Sequence, residues 1–244
     1  MLWSRGAGTA DARDAFAAHE FVRAARVCEL PRSVFFSIFM PPGERGPTRY
    51  QANRLAVERI LLEGISGMVV LRSGISLGSG LRGIRPYLKL AQRLPLIPLG
   101  PWRRNTAAVV DLGTELECLV GAATWDGLAG RAWEVPPSAE PTHEELVRAL
   151  IDVLGLRRPV LRLPLASEWL DARLIATITG EDYELCDYLV SVLRTDYRCT
   201  LELTEPFRGI APQPMGEALA AAVRDWRELP RYLNGGRTTP LVSA

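Results

Sequence analysis

The sequence predicts an α/β fold built on a mainly parallel sheet. Three observations carry this. Short β-branched and aromatic runs of strand length recur over the first 135 residues. Between them lie segments whose apolar residues repeat with helical period. Beyond about residue 135 the pattern turns mostly helical, as expected of a smaller appended lobe.

The elements follow in order. Asp11 to Val27 is helical in period, with Phe16, Ala17, Phe21, Ala24 and Ala25 as its apolar stripe and Thr9 or Asp11 as N-cap. Ser33 to Phe39 reads as a buried strand, followed by a loop through Pro41-Pro42-Gly43 and Gly46-Pro47. Thr48 to Glu63 reads as a helix with Leu55, Ile60, Leu61 and Leu62 on its buried side. Met68 to Leu71 is the next strand, and Leu81 to Arg93 a helix with a kink or boundary at Pro86. Ala107 to Val110 is a short strand, and Asp111 caps the helix that runs to about Ala123. Arg131 to Val135 is another strand. Thr142-His143-Glu144-Glu145 is a capping box, and Gly155 ends the helix it starts. Val160 to Leu163 reads as a strand. Glu168 to Leu193 is helical with a break at Gly180, and Met215 to Trp226 is a last amphipathic helix. Residues 227–244 read as a frayed tail.

Composition narrows the function classes. The chain has 244 residues, 48% hydrophobic and 23% charged, with a net charge of +1. That is a globular balance, and it calls for neither nucleic acid nor an anionic membrane surface. No run approaches the ~18 apolar residues of a membrane span; Ile60 to Gly78 is broken by Glu63 and Arg72. Met1 to Arg5 lacks the layout of a signal peptide, so a soluble cytoplasmic protein is expected. Of 29 basic residues, Lys89 alone is a lysine. Cys28, Cys118, Cys186 and Cys199 are scattered away from His19 and His143. No zinc site or disulfide framework is expected, and Cys118 reads as a core residue.

Gly78-Ser79-Gly80-Leu81-Arg82-Gly83 matches the G-x-G-x-x-G pattern. The acid needed for a ribose about 20 residues on is missing, since the chain there reads Pro98 to Trp102. A turn after a strand is the better reading. Tyr50 and Arg54 stand at i and i+4, one turn apart on one helix face. A nearby cation lowers a phenol's pKa from about 10 and makes it a usable proton donor or acceptor. Ser37, at the end of the preceding strand, offers a hydroxyl for a substrate carbonyl. By spacing alone, a solvated Tyr–Arg pair on a surface helix is the better reading of Tyr50 and Arg54. Arg157-Arg158 and Arg103-Arg104 read as solvated faces, Glu181-Asp182 as an exposed helix start, and the tryptophans as packing residues.

Longer stretches carry a resemblance. Tyr50 to Glu63, followed by Val69 to Gly80, resembles a Y-x-x-x-K helix and the strand and glycine turn after it. Trp102 to Asp111 is similar to a short strand with a capping Asp, and Glu144 to Pro164 to a C-terminal helix–turn–strand. Leu189 to Val223 resembles the tail of an atypical bacterial subgroup related to the NADH-binding accessory subunit of respiratory complex I. Together these resemble the extended and atypical branch of the short-chain dehydrogenase/reductase superfamily, with its epimerase/dehydratase and NmrA-like members. The resemblance implies a Rossmann-like core over residues 1–135, a substrate lobe over 136–226 and a tail over 227–244. It implies NAD or NADP as cofactor and oxidoreductase chemistry on a small carbonyl or alcohol. Tyr50 is then the acid/base, Arg54 tunes it and holds ribose, and Ser37 polarises the carbonyl. Arg72, Ser73 and Gly74 border the nicotinamide.

Three departures bear on that reading. The family's pyrophosphate loop precedes the segment aligned with Asp11 to Val27, so the core is expected to be partial, its N-terminal βα units missing. Arg54 stands where the family has Lys, and the two cations are not interchangeable. The strand-end Ser is reduced to the single hydroxyl of Ser37. A sheet lacking its first strands exposes an edge, so a copy of the chain or a different partner is expected to cover it. Two further function classes stay open: a dinucleotide-binding sensor or accessory protein without turnover, and a scaffold without nucleotide.

Overall fold

The computed structural model describes residues 10–41, 46–78, 83–164 and 167–228. Met1 to Thr9, Pro42-Gly43, Ser79 to Arg82 of the glycine turn and the tail beyond Glu228 lie outside the described residues.

Helix α1 (Ala10–Val27) leads to β1 (Ser33–Ile38), α2 (Arg49–Gly64) and β2 (Met68–Ser73). Thr48 starts α2 with a capping box: its hydroxyl accepts from the Gln51 amide, and the Gln51 side chain accepts from the Thr48 amide. After β2 come β3 (Ile75–Leu77), α3 (Arg85–Arg93), β4 (Ile97–Leu99), β5 (Val109–Asp111) and α4 (Leu112–Thr124). Then follow β6 (Arg131–Glu134), α5 (His143–Leu154), β7 (Val160–Arg162), α6 (Glu168–Thr179), α7 (Tyr183–Leu193) and α8 (Met215–Glu228).

The pairing among these strands is parallel throughout. A three-stranded sheet runs in the order β1-β2-β6, and β3-β5 and β4-β7 form two further pairs. Among the described residues β1 has β2 as its single neighbour. Strand alternation sorts the sheet's side chains onto two faces. On one face Phe35, Met68 and Val70 pack under α1 and α2 with Val22, Val57 and Leu61. On the other, Val69, Leu71 and Trp133 pack against Cys118 and Ala122 of α4. A third core joins α3, α5 and α8 to β3, β4 and β5, so it draws on both sides of residue 135.

Some expectations are corrected. The helix expected from Leu81 is described from Arg85, and Pro86 sits in its first turn, where its missing N–H costs nothing. β3 and β4, of three residues each, carry no local signal of their own. The buried side of α2 holds Gln51, Arg54 and Glu58 beside Val57 and Leu61, whereas Leu55, Ile60 and Leu62 are only half-buried. Gly74 marks a close backbone approach: a Cβ there would lie 2.4 Å from the Ala108 carbonyl oxygen. No helix of the described residues is long and apolar enough to cross a membrane.

Candidate functional site

The helix α2 follows β1, so its N-terminal turns stand at the carboxyl ends of the parallel strands. Ligands of open α/β sheets bind at that end. The register there builds a polar row. Ser37 of β1 pairs with Arg72 of β2, and Arg72 pairs with Glu134 of β6. All three lie on the face beneath α2, by alternation from Phe35 and Val70.

Glu58 descends from α2 onto this row. Its carboxylate accepts from the Ser37 hydroxyl at 2.5 Å and from the Arg72 guanidinium at 3.2 and 2.6 Å. The Glu58 side chain is 3% exposed and that of Arg72 14%. Glu134 completes the row 3.8 Å from Arg72 and accepts from the Thr200 amide. Burial holds the Glu134 carboxyl above its ordinary range, against the pull of the Thr200 amide and Arg72. Ser73 is equally engaged. Its hydroxyl and that of Ser76 donate to the buried Glu115, whose carboxyl is raised by burial despite both bonds.

Tyr50 and Arg54 share one face of α2, as their spacing predicts. Arg54 donates to the Phe36 carbonyl at 2.6 Å and lies 4.5 Å from the centre of the Phe35 ring. The Tyr50 ring lies against Tyr188 of α7, with centroids 3.6 Å apart. Tyr197 closes the group: its hydroxyl donates to the Ser73 carbonyl at the end of β2, and its ring meets Phe39. Burial holds the phenols of Tyr188 and Tyr197 above their ordinary range, and the Arg54 charge pulls the other way without prevailing. Three phenols and a guanidinium therefore meet at the carboxyl ends of β1 and β2.

All the residues picked out by sequence come to this one end of the sheet, but in two groups. Tyr50 and Arg54 belong to the tyrosine group. Ser37, Arg72 and Ser73 have their polar side-chain atoms turned to Glu58, Glu134 and Glu115. Sequence reasoning missed Glu58, Tyr188 and Tyr197. Glu58 carried a usable signal, because Tyr50, Arg54 and Glu58 recur every four residues. Tyr188 and Tyr197 carried none, being brought in from far along the chain. Glu181 is also reassigned. Its side chain is only 6% exposed and pairs with Lys89 and Arg85, each at 2.5 Å, while Asp182 caps α7.

The fit to a nicotinamide dinucleotide is uneven. Arg54 suits it: its Nε is buried without a hydrogen-bond partner, and so is Nε2 of Gln51 one turn earlier. These are donors on α2 that a ribose hydroxyl could satisfy. Arg72 and Ser73 suit it less: their side chains are turned to Glu58 and Glu115, and their carbonyls already accept from the Val135 and Phe39 amides.

The same fold occurs among solved structures. A nucleoside-diphosphate-sugar epimerase from Staphylococcus aureus matches with a TM-score of 0.65 at 14% identity, over 89% of this chain and 75% of that chain. UDP-glucose 4-epimerase from Thermus thermophilus, in complex with NAD, matches at 0.61 with 19% identity, over 88% and 70% of the two chains. RMD from Pseudomonas aeruginosa, complexed with NADPH, matches at 0.62 with 14% identity, over 88% and 73%. The chain therefore shares the fold of these proteins, an α/β core with a helical lobe. No family model and no curated protein sequence matches it.

Proposed function

We propose that this protein is an NAD(P)-linked oxidoreductase of atypical short-chain dehydrogenase type, acting on a small carbonyl or alcohol. The observation that carries this is the position of Tyr50 and Arg54. A phenol and a fixed cation, one turn apart, stand at the carboxyl ends of the parallel strands, where the fold places ligands. Fold alone does not assign chemistry; this pair supplies a proton donor of the right kind. Bound dinucleotide supplies or takes the hydride. Tyr50 gives its proton to the developing alkoxide in reduction and takes it back in oxidation. Arg54 stands one turn from the phenol as a fixed positive charge and holds ribose through its Nε, which is buried without a partner. Ser37 polarises the carbonyl once its hydroxyl turns from Glu58, and the backbone of Arg72, Ser73 and Gly74 borders the nicotinamide. The described residues up to 135 form the dinucleotide side and residues 136–226 the substrate lobe. A second chain over the free edge of β1 belongs to the same reading.

A second reading has two observations in its favour. The Ser37 hydroxyl is already spent on Glu58, and Tyr188 covers the Tyr50 ring, which suits a protein that binds dinucleotide without turnover. One experiment separates the two. NADH and NADPH are titrated calorimetrically into the wild type and Tyr50→Phe, and both are assayed for cofactor oxidation with a panel of small aldehydes and ketones. The first reading expects turnover in the wild type and a loss of at least ~100-fold in the variant, the range of a general acid. Binding without turnover in either supports the second. A folded wild type that binds neither cofactor refutes both.

A further inference from the structure

A cavity of about 140 Å³ lies between α3, β4, α6 and α7, and its walls are almost wholly apolar. Tyr87, Trp102, Ile175 and Leu189 are among the lining residues, with Leu174. Tyr50, Arg54 and Ser37 are not. Leu189 lies on a different face of α7 from Tyr188, so this is a separate site.

Such a space is out of keeping with protein interiors, where voids larger than a water are few and cost stability when empty. Water fills it poorly, because a buried water needs two or more polar partners. An apolar cavity of about 150 Å³ is large enough to take benzene. Leu174 of the α6 wall is itself 47% exposed, so the cavity opens to solvent on that side.

The wall has one carboxyl, that of Asp171. Beside it the Trp102 indole N–H is buried without closing a full hydrogen bond. Burial holds the Asp171 carboxyl above its ordinary range, more strongly than Trp102 and Arg194 pull it down. A donor and an acceptor side by side suit a hydroxyl, which accepts from the indole and donates to the carboxylate. Ligand sites combine an apolar cleft with a few such placed polar groups.

We propose that this cavity binds a small neutral molecule with an apolar body of about one aromatic ring and a single hydroxyl, held by Asp171 and Trp102. The probes are 4-fluorophenol and fluorobenzene, which differ by that hydroxyl. Each is titrated into the full chain without dinucleotide, by calorimetry and fluorine NMR, so the outcome is independent of the oxidoreductase reading. The wild type is expected to bind 4-fluorophenol saturably and about tenfold more tightly than fluorobenzene, the worth of one hydrogen bond. Asp171→Leu brings the two probes to equal affinity, and Ile175→Phe, which fills the cavity, abolishes both. Leu174→Trp, at the half-exposed rim, gives the same loss with less risk to folding. Equal affinity of the wild type for both probes overturns the hydroxyl assignment. No saturable binding by folded protein, or binding unmoved by both filling variants, overturns the site.

Discussion

Replacing Glu58 by Gln tests the polar row beneath α2. The substitution keeps the volume and leaves an oxygen to accept from Ser37, so it removes chiefly the charge that faces Arg72. In the wild type Arg72 meets Glu58 through two donors at 3.2 and 2.6 Å, with both side chains largely out of water. Breaking a buried pair by removing one partner costs about 3–5 kcal/mol. Glu134, 3.8 Å from Arg72, offsets part of that. We therefore expect the lower end, about 3 kcal/mol. For a chain of this size each kcal/mol shifts the melting temperature by roughly 2–4 °C, so the loss is about 6–12 °C. Arg72→Met should cost more, because it leaves the carboxyls of Glu58 and Glu134 buried together. The double variant Glu58→Met/Arg72→Met should cost less than the sum of the single ones, since an apolar pair needs no charge compensation. Urea unfolding at pH 7, followed by circular dichroism, reads all of these. A loss below about 1 kcal/mol for Glu58→Gln, the worth of an exposed pair, or a strictly additive cycle, refutes the reasoning.

Three further substitutions probe a buried histidine, a helix cap and a close backbone approach. His143 is fully buried against the Tyr87 hydroxyl at 3.0 Å, and burial lowers its pKa to about 3. The unfolded chain then binds a proton near pH 6.5 that the folded chain refuses, so stability falls as pH drops from about 6.5 toward 3. The slope from this group approaches ~1.4 kcal/mol per pH unit, and unfolding of His143→Gln between pH 4.5 and 7 should be flatter by that amount. Thr142 caps α5 in a reciprocal box with Glu145, and Thr142→Ala should lose about 1 kcal/mol in urea unfolding. Gly74→Ala places a Cβ against the Ala108 carbonyl, and calorimetric melting should show a loss of about 1–3 kcal/mol from overpacking; an unchanged melting temperature would show that the two segments can separate.

Elements whose causes are local can be read from the residues alone. Thr142 and Glu145 form their capping box, Asp111 caps α4, and Gly155 and Gly180 end their helices at φ 70° and 68°. Each depends on residues within one turn, and the neighbouring sequence contains them. The start of α2 near Thr48 was also read, but the capping box of Thr48 and Gln51 that fixes it was missed. The parallel core was legible too, because buried strands and amphipathic helices have different periods. Tyr50 and Arg54 were paired by helical spacing alone.

What those residues touch is set by packing between segments distant in the chain. β4 has three residues and exists because it pairs with β7, some sixty residues on. Ser37 looked like a free hydroxyl in a strand. Parallel register set it beside Arg72, and alternation turned both under α2, where Glu58 takes them up. Tyr50 looked like a surface phenol until Tyr188 folded over it. Periodicity reports which side of an element is apolar, and it read α2 by its leucines while the sheet beneath called for Gln51, Arg54 and Glu58. Charges and hydroxyls are buried where a partner from another element meets them, and that partner is set by strand register and helix packing, neither of which is written in the residues next door.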